Sequence, residues 1–233
     1  MPDIKMARGI VLWDMDGTLI SPIRNHRESP HVNAICRNGF KSGTNYPALL
    51  GSTDYEIILK LTYGESTPIK KSLENCFKDL DDISLSLYHE NSFSLCRGFP
   101  EALVRVNELG WDNGILTGNT KTRMLKKLEI LKITDYFNPK FMFSCNFGES
   151  RENIAERAKK TLTISGYSIN IIAGDTPRDI SVARSYGFKS VAVGTGSFSL
   201  KELLECDPNL LVTNFQNDLR IFLEFIRTLS LKH

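Results

Sequence analysis

The sequence predicts an α/β protein: a mainly parallel sheet with helices on both faces and a small helical insert after the first strand. Two observations carry this. From Gly98 onward, short apolar runs alternate regularly with amphipathic stretches of helical period, the pattern of successive βα units. Ahead of that point, one buried-strand run at Gly9 to Trp13 is followed by helix-like spacing from about His31 to Tyr88, with no convincing strand.

The totals set the outer bounds. A chain of 233 residues can bury one core plus a smaller insert. Its 29 basic and 27 acidic residues leave a net charge of +2, too little to imply a nucleic-acid or membrane partner. Cys36, Cys76, Cys96, Cys145 and Cys206 are odd in number and contain no CxxC pair, so neither a disulfide framework nor a zinc site is expected. The histidines, His26, His31, His89 and His233, lack metal-ligand spacing and read as surface or structural residues. Asp3, Lys5 and Arg8 precede only a short apolar run, which is neither a signal peptide nor a membrane span. A cytoplasmic protein is expected.

In chain order, GIVLW is a doubly covered strand running into DMDGTL. A turn-rich passage follows, with Ser21, Pro22, Asn25, Ser29 and Pro30. The insert, 21–97, then carries apolar positions at Val32, Ile35 and Cys36, at Ile57, Ile58 and Leu61, and at Ile69, Leu73, Cys76, Phe77 and Leu80. Thr53 or Ser52 can cap the middle helix with Glu56 in a capping box, and Pro68 suits the first turn of the third. Pro100 opens a helix with apolar positions Leu103, Val104 and Val106. Strands follow at Asp112 to Thr117, Phe141 to Cys145, Asn170 to Gly174, Ser190 to Val193 and Leu210 to Thr213. Helices run from Thr120 to Leu131, Arg151 to Leu162, Pro177 to Tyr186, Ser199 to Glu205 and Phe215 to about Leu229. The core thus comprises 1–20 and 98–233.

Chemistry concentrates where strands give way to loops, which is where open α/β sheets place ligands. Asp14 and Asp16, one residue apart, share a side if the strand continues, while Gly17 lets the chain turn. Thr117, Gly118 and Asn119 end a strand before a helix and can hold phosphate oxygens, although an ordinary N-cap would look the same. Asp175 and Asp179, flanking Pro177, offer oxygens to a hard cation, and Mg²⁺ suits one or two carboxylates plus substrate phosphate. The alternative is a helix capped by Asp175 or Thr176. Phosphoryl transfer also needs a cation against the transferring oxygens. Of the basic residues between Thr117 and Asp175, most, Lys121, Arg123, Lys126 and Lys127 among them, read as solvated helix faces. Arg151, which begins a helix after the Asn146 to Ser150 loop, can reach the crevice.

DMDGT at Asp14 to Thr18, Thr117 with Gly118 and Asn119, Arg151, and GDTPRD at Gly174 to Asp179 resemble, in order, the four motifs of the haloacid-dehalogenase-like superfamily. GDTPRDISVARSYGFKSVAVGTGS and GSTDYEI look closest to its phosphoglycolate-phosphatase-like branch. The third motif is usually a lysine, where this chain offers Arg151. The resemblance implies that 21–97 is a cap over the active site and that Asp14 is the nucleophile forming an aspartyl-phosphate. It implies that Asp16 is the acid/base and that Thr117 and Arg151 hold the phosphoryl group. Mg²⁺ would be held by the Asp14 carboxylate, the Asp16 backbone carbonyl and Asp175, with Asp179 in support. The substrate would be a small phosphate ester, met on the cap side by Asp54 or Tyr55.

A dehalogenase would not need Asp16. A sugar phosphomutase shares all four motifs, and a phospho-aspartate signalling module has no use for Asp16 or the insert. Gly194-Thr195-Gly196-Ser197 hints at a dinucleotide loop, but Ser199 stands where a third glycine belongs.

Overall fold

The computed structural model describes residues 9–22, 29–41, 49–62 and 70–231. Asn25, His26, Pro68, His233 and the N-terminal residues through Arg8 lie outside them. The main sheet is parallel throughout, in the order β5-β4-β1-β6-β7-β8. Its strands are β1 (Gly9–Trp13), β4 (Asp112–Thr120), β5 (Met142–Cys145), β6 (Ile169–Gly174), β7 (Lys189–Val193) and β8 (Leu210–Val212). After β1 the chain builds outward through β4 and β5, then crosses back to build β6, β7 and β8 on the other side. The order reverses at β1, and the crevice at such a switch point is where this architecture binds ligands.

All five residues of β1 are buried because helices cover both faces. Ile10 and Leu12 pack toward α6 (Arg151–Ile164) and α7 (Pro177–Ser185). Val11 and Trp13 pack toward α4 (Glu101–Glu108), α5 (Lys121–Ile130) and α9 (Phe215–Leu231). A shorter helix, α8 (Leu200–Glu205), seats Leu203 against Ile180 and Ala192. Trp13 anchors the strand end that leads to Asp14. Its ring meets Phe99 at 5.3 Å and Phe215 at 5.2 Å edge to face, and its indole N–H donates to Asn113 Oδ1 at 2.8 Å. Truncating a buried aromatic of this kind costs about 3–5 kcal/mol.

The insert contains α1 (Pro30–Arg37), α2 (Asp54–Thr62) and α3 (Lys70–Leu87) around their own apolar cluster, which includes Ile35, Ile58, Leu73 and Leu80. The expected capping box is present: the Thr53 N–H donates to Glu56 Oε2 at 2.8 Å, and the Glu56 N–H donates to Thr53 Oγ1 at 3.2 Å. One pair of elements departs from expectation. β2 (Ile20–Pro22) and β3 (Phe93–Leu95) form an antiparallel ribbon where the sequence suggests only turns. Three residues per strand are too few to show an alternating pattern, so the pairing is visible only in three dimensions. Among the described residues no helix is long and apolar enough to cross a membrane.

Candidate active site

The end of β1 brings together three strand ends. Asp14 follows the strand directly, and its N–H donates to the Ala173 carbonyl of β6 at 2.8 Å. Gly17, with φ of +90°, turns the chain away. β4 continues past its expected end to Thr120, with an irregular register after Leu116, so Thr117, Gly118 and Asn119 lie on the terminal strand segment beside Asp14. β6 delivers Asp175, and the N-terminus of α7 delivers Asp179. A cavity of about 200 Å³ joins them, lined by Asp14, Asp16, Thr117, Asn119, Arg151 and Asp175, among others.

Asp14, Asp175 and Asp179 are buried, and one carboxylate oxygen of each lies within 4.8 Å of the others. Burial pushes the Asp14 carboxyl up to about 7, with Arg151 opposing and Asp179 and Asp16 adding to the rise. Asp175 is raised to about 8 by burial and by the charges of Asp14 and Asp179. Three acids crowded in a dry crevice resist ionising together. A hard cation relieves that repulsion, and an all-oxygen donor set suits Mg²⁺. The backbone is also shaped around Asp175. A Cβ on Gly196 would stand 1.8 Å from Asp175 Oδ2, and one on Gly17 would stand 2.3 Å from the same atom. Thr18 Oγ1 donates to Asp175 Oδ1 at 3.0 Å, and Thr195 Oγ1 donates to the Gly17 carbonyl at 2.6 Å. The Gly194 to Ser197 stretch therefore clamps an acidic loop.

Asp179 serves two purposes. Thr176 caps α7, its N–H and hydroxyl donating to Asp179 Oδ2 at 3.1 and 2.7 Å, so both the capping and the site readings of this stretch hold together. Arg151 is 3 % exposed, donates to Asp14 Oδ1 at 2.8 Å, and pairs with Asp179 Oδ1. Its buried Nε has no partner among the described residues.

The Asp16 carboxylate stands outside the acidic cluster, and its partner corrects the sequence reading. Lys127, expected on a solvated helix face, is 2 % exposed, and its Nζ donates to both Asp16 oxygens at 2.6 Å and to Asn119 Oδ1 at 2.8 Å. Asn119 Nδ2 donates to Asp16 Oδ2 at 2.7 Å and to Thr117 Oγ1 at 2.8 Å. Burial pulls the Asp16 carboxyl up, but the Lys127 charge and hydrogen bonds prevail and hold it below its ordinary value. The signal was available: Lys127 lies eight residues beyond Asn119 on α5, next to the apolar position Leu128, which faces the core. Arg123, also expected in solvent, is buried against Asp54 and the Tyr88 hydroxyl.

On the insert side, Asp54 lines the cavity and binds core groups: the Thr120 N–H donates to its Oδ2 at 2.7 Å. Tyr55 goes elsewhere, its ring edge to face with Phe147 at 5.1 Å and absent from the cavity lining.

This fold, with acids and cations gathered at the switch point, is that of a hydrolase built on a phosphate-binding crevice. The match to the haloacid dehalogenase-like hydrolase model over residues 11–193 makes the family plain: the chain belongs to it and is an enzyme of that family. It is 24 % identical over 220 residues to the "Putative pyrophosphatase PpaX" of Caldanaerobacter subterraneus subsp. tengcongensis, covering 91 % of this chain and 93 % of that one. It is 22 % identical over 228 residues to a phosphoglycolate phosphatase of Mesorhizobium japonicum, covering 90 % and 92 %. Among solved structures, the "Putative beta-phosphoglucomutase" of Bacteroides vulgatus superposes with a TM-score of 0.70 at 20 % identity, over 98 % of this chain and 92 % of that one.

Proposed function

We propose that this chain is a Mg²⁺-dependent phosphatase that hydrolyses a small phosphomonoester through an aspartyl-phosphate, with residues 21–97 acting as its cap. The observation that carries the reading is the pairing at one strand end of two carboxylates with opposite surroundings. Asp14 lies in the acidic cluster beside Arg151, while Asp16 lies apart from that cluster, bound by Lys127 and Asn119. Two acids set apart in this way divide naturally into nucleophile and acid/base.

An Asp14 carboxylate oxygen attacks phosphorus, and the bond to the leaving oxygen breaks. Asp16 gives that oxygen its proton, then takes one from the water that attacks the phosphorus of the aspartyl-phosphate, which releases phosphate and frees Asp14. Thr117, Gly118, Asn119 and Arg151 surround the transferring group, and the unpaired Arg151 Nε leaves a donor in reserve for an oxygen there. Asp14, Asp175 and the Asp16 carbonyl would hold Mg²⁺, with Asp179 in support, and the ion supplies charge neutralisation for the phosphoryl oxygens when bound. Five unpaired cysteines support a reducing, cytoplasmic setting.

The test is phosphate release from 4-nitrophenyl phosphate by the whole chain with Mg²⁺, its loss with EDTA, and its loss in Asp14→Asn. Equal turnover by Asp14→Asn would overturn the mechanism. Transfer to a second sugar hydroxyl without phosphate release would instead make the chain a phosphomutase.

A further inference from the structure

The cavity has a second wall, which the chemistry above does not use. His31 and Asp54 of the insert line it together with Arg123 of α5 and the apolar Leu49, Leu50 and Ile57. At about 200 Å³ it is smaller than pockets for drug-sized ligands, so beyond a phosphoryl group it leaves room only for a short leaving group.

The hydrogen bonding of this wall settles what it offers. Asp54 Oδ2 accepts from the Thr120 N–H at 2.7 Å, and Oδ1 pairs with Arg123 Nη1 and with His31 Nε2, the latter at 2.8 Å. An amide N–H and a guanidinium only donate, so Asp54 is an ionised acceptor and the proton of the third contact sits on His31 Nε2. Burial, aided by the charges of Arg123 and Lys127, holds the imidazole below its ordinary range against the pull of Asp54, which keeps it neutral. A neutral ring with its proton on Nε2 carries a lone pair on Nδ1. Among the described residues no group donates to that nitrogen, and the ring lines the cavity. It is an acceptor awaiting a donor.

The charges narrow the choice further. The cations at the site are already matched: Arg123 with Asp54, Lys127 with Asp16, and Arg151 with Asp14 and Asp179. Five carboxylates line the cavity against two guanidiniums. A second anionic group on the leaving side would meet no unmatched cation there and would be repelled.

We propose that His31, oriented by Asp54, is a specificity residue that selects a short, uncharged leaving group bearing a hydroxyl, and that the wall discriminates against a carboxylated one. The substrate class is then a small polyol or sugar-like phosphomonoester. This rests on the phosphatase reading above.

A size-matched series tests it: 2-hydroxyethyl phosphate, ethyl phosphate and 2-phosphoglycolate, with phosphate release measured for the Mg²⁺-loaded enzyme and for His31→Phe. The wild type should favour the hydroxyethyl over the ethyl ester in kcat/KM by roughly tenfold, the effect of one well-made neutral hydrogen bond, and should turn over phosphoglycolate slowest. In His31→Phe the ratio of hydroxyethyl to ethyl ester should fall to about 1, since only the acceptor is gone. A wild type that prefers phosphoglycolate, or that treats the first two esters alike, overturns the proposal whether or not the variant folds. So does a His31→Phe enzyme that keeps the hydroxyl preference. Failure to cleave any of the three, or 4-nitrophenyl phosphate, overturns the phosphatase reading and takes this proposal with it.

Discussion

Gly196→Ala tests whether the metal-binding acid is positioned by backbone packing. An added Cβ would lie 1.8 Å from Asp175 Oδ2, 2.5 Å from its Cγ and 2.8 Å from its Cβ. Because all three atoms are too close, turning the carboxylate in place gives no relief, and the side chain must swing by on the order of 1 Å to reach ordinary contact. Gly17 closes the opposite flank, its own added Cβ 2.3 Å from Oδ2, so the displacement is directed into the crevice. Misplacing a reacting constellation by that distance costs about 10²-fold in rate. Mg²⁺ affinity should fall about 10–100-fold, as it does when ligand orientation is lost. Overpacking should cost about 1–3 kcal/mol in stability. The assay is phosphate release titrated with Mg²⁺, beside thermal unfolding. Gly148→Ala is the control: Gly148 has φ of +85° and nothing within 4 Å, so the change strains only its own backbone and should leave Mg²⁺ dependence alone. A Gly196→Ala enzyme with wild-type Mg²⁺ dependence would refute the packing argument.

Three further outcomes are expected. Lys127→Met should lower turnover about 10²-fold and move the acidic limb of the pH–rate profile to higher pH, because the cation that favours ionised Asp16 is gone. An unmoved limb would show that Lys127 does not set the charge of Asp16. Stability of the metal-free protein should fall as pH rises from 3.8 toward about 8. In that window folded Asp14 and Asp175, raised to about 7 and about 8, keep protons that the unfolded chain has released. Added Mg²⁺ should flatten the fall, and melting curves with and without EDTA across pH measure both. Arg178→Met should raise KM severalfold. Arg178 joins Glu56 of α2, at 2.7 Å through both oxygens, to Glu152 of α6, at 2.8 Å, and so ties the insert to the core. These side chains are partly exposed, so folding stability should change by only about 1 kcal/mol or less.

The core strands and helices were legible because each is long enough to display its period, and their ends came within a few residues of the structure. The departures share a physical cause. The ribbon of Ile20–Pro22 with Phe93–Leu95 joins segments far apart in the chain, each too short to carry a pattern. The strand after Ile115 runs on to Thr120 because β5 supports it at Cys145, a contact across the sheet that local residues do not encode. The acids were visible for the opposite reason: Asp14, Asp16, Asp175 and Asp179 each sit at a junction that the local pattern marks.

Lys127 shows where such reading ends. A lysine on an amphipathic helix is ordinarily solvated, since burying an ammonium without a partner is costly. What makes this one different is Asp16, which stands 111 residues away in sequence, together with the rings of Tyr88 and Phe93 at 5.9 and 5.4 Å from its Nζ. Arg123 follows the same rule through Asp54 and Tyr88. Both cations lie on α5, the helix that leaves the Thr117 to Asn119 strand end, and one reaches the core acid while the other reaches an acid of the insert. The placement of α5 against Asp54 thus bears on two events at once: the charge state of the acid/base and the wall that meets the leaving group. Weakening the Asp54 contact with Asp54→Asn should therefore disturb both substrate preference and pH dependence, whereas Lys127→Met should disturb the pH dependence alone. Measuring both quantities for both variants separates the two roles, and an Asp54→Asn enzyme altered in neither would deny that the insert and the acid/base are linked through this helix.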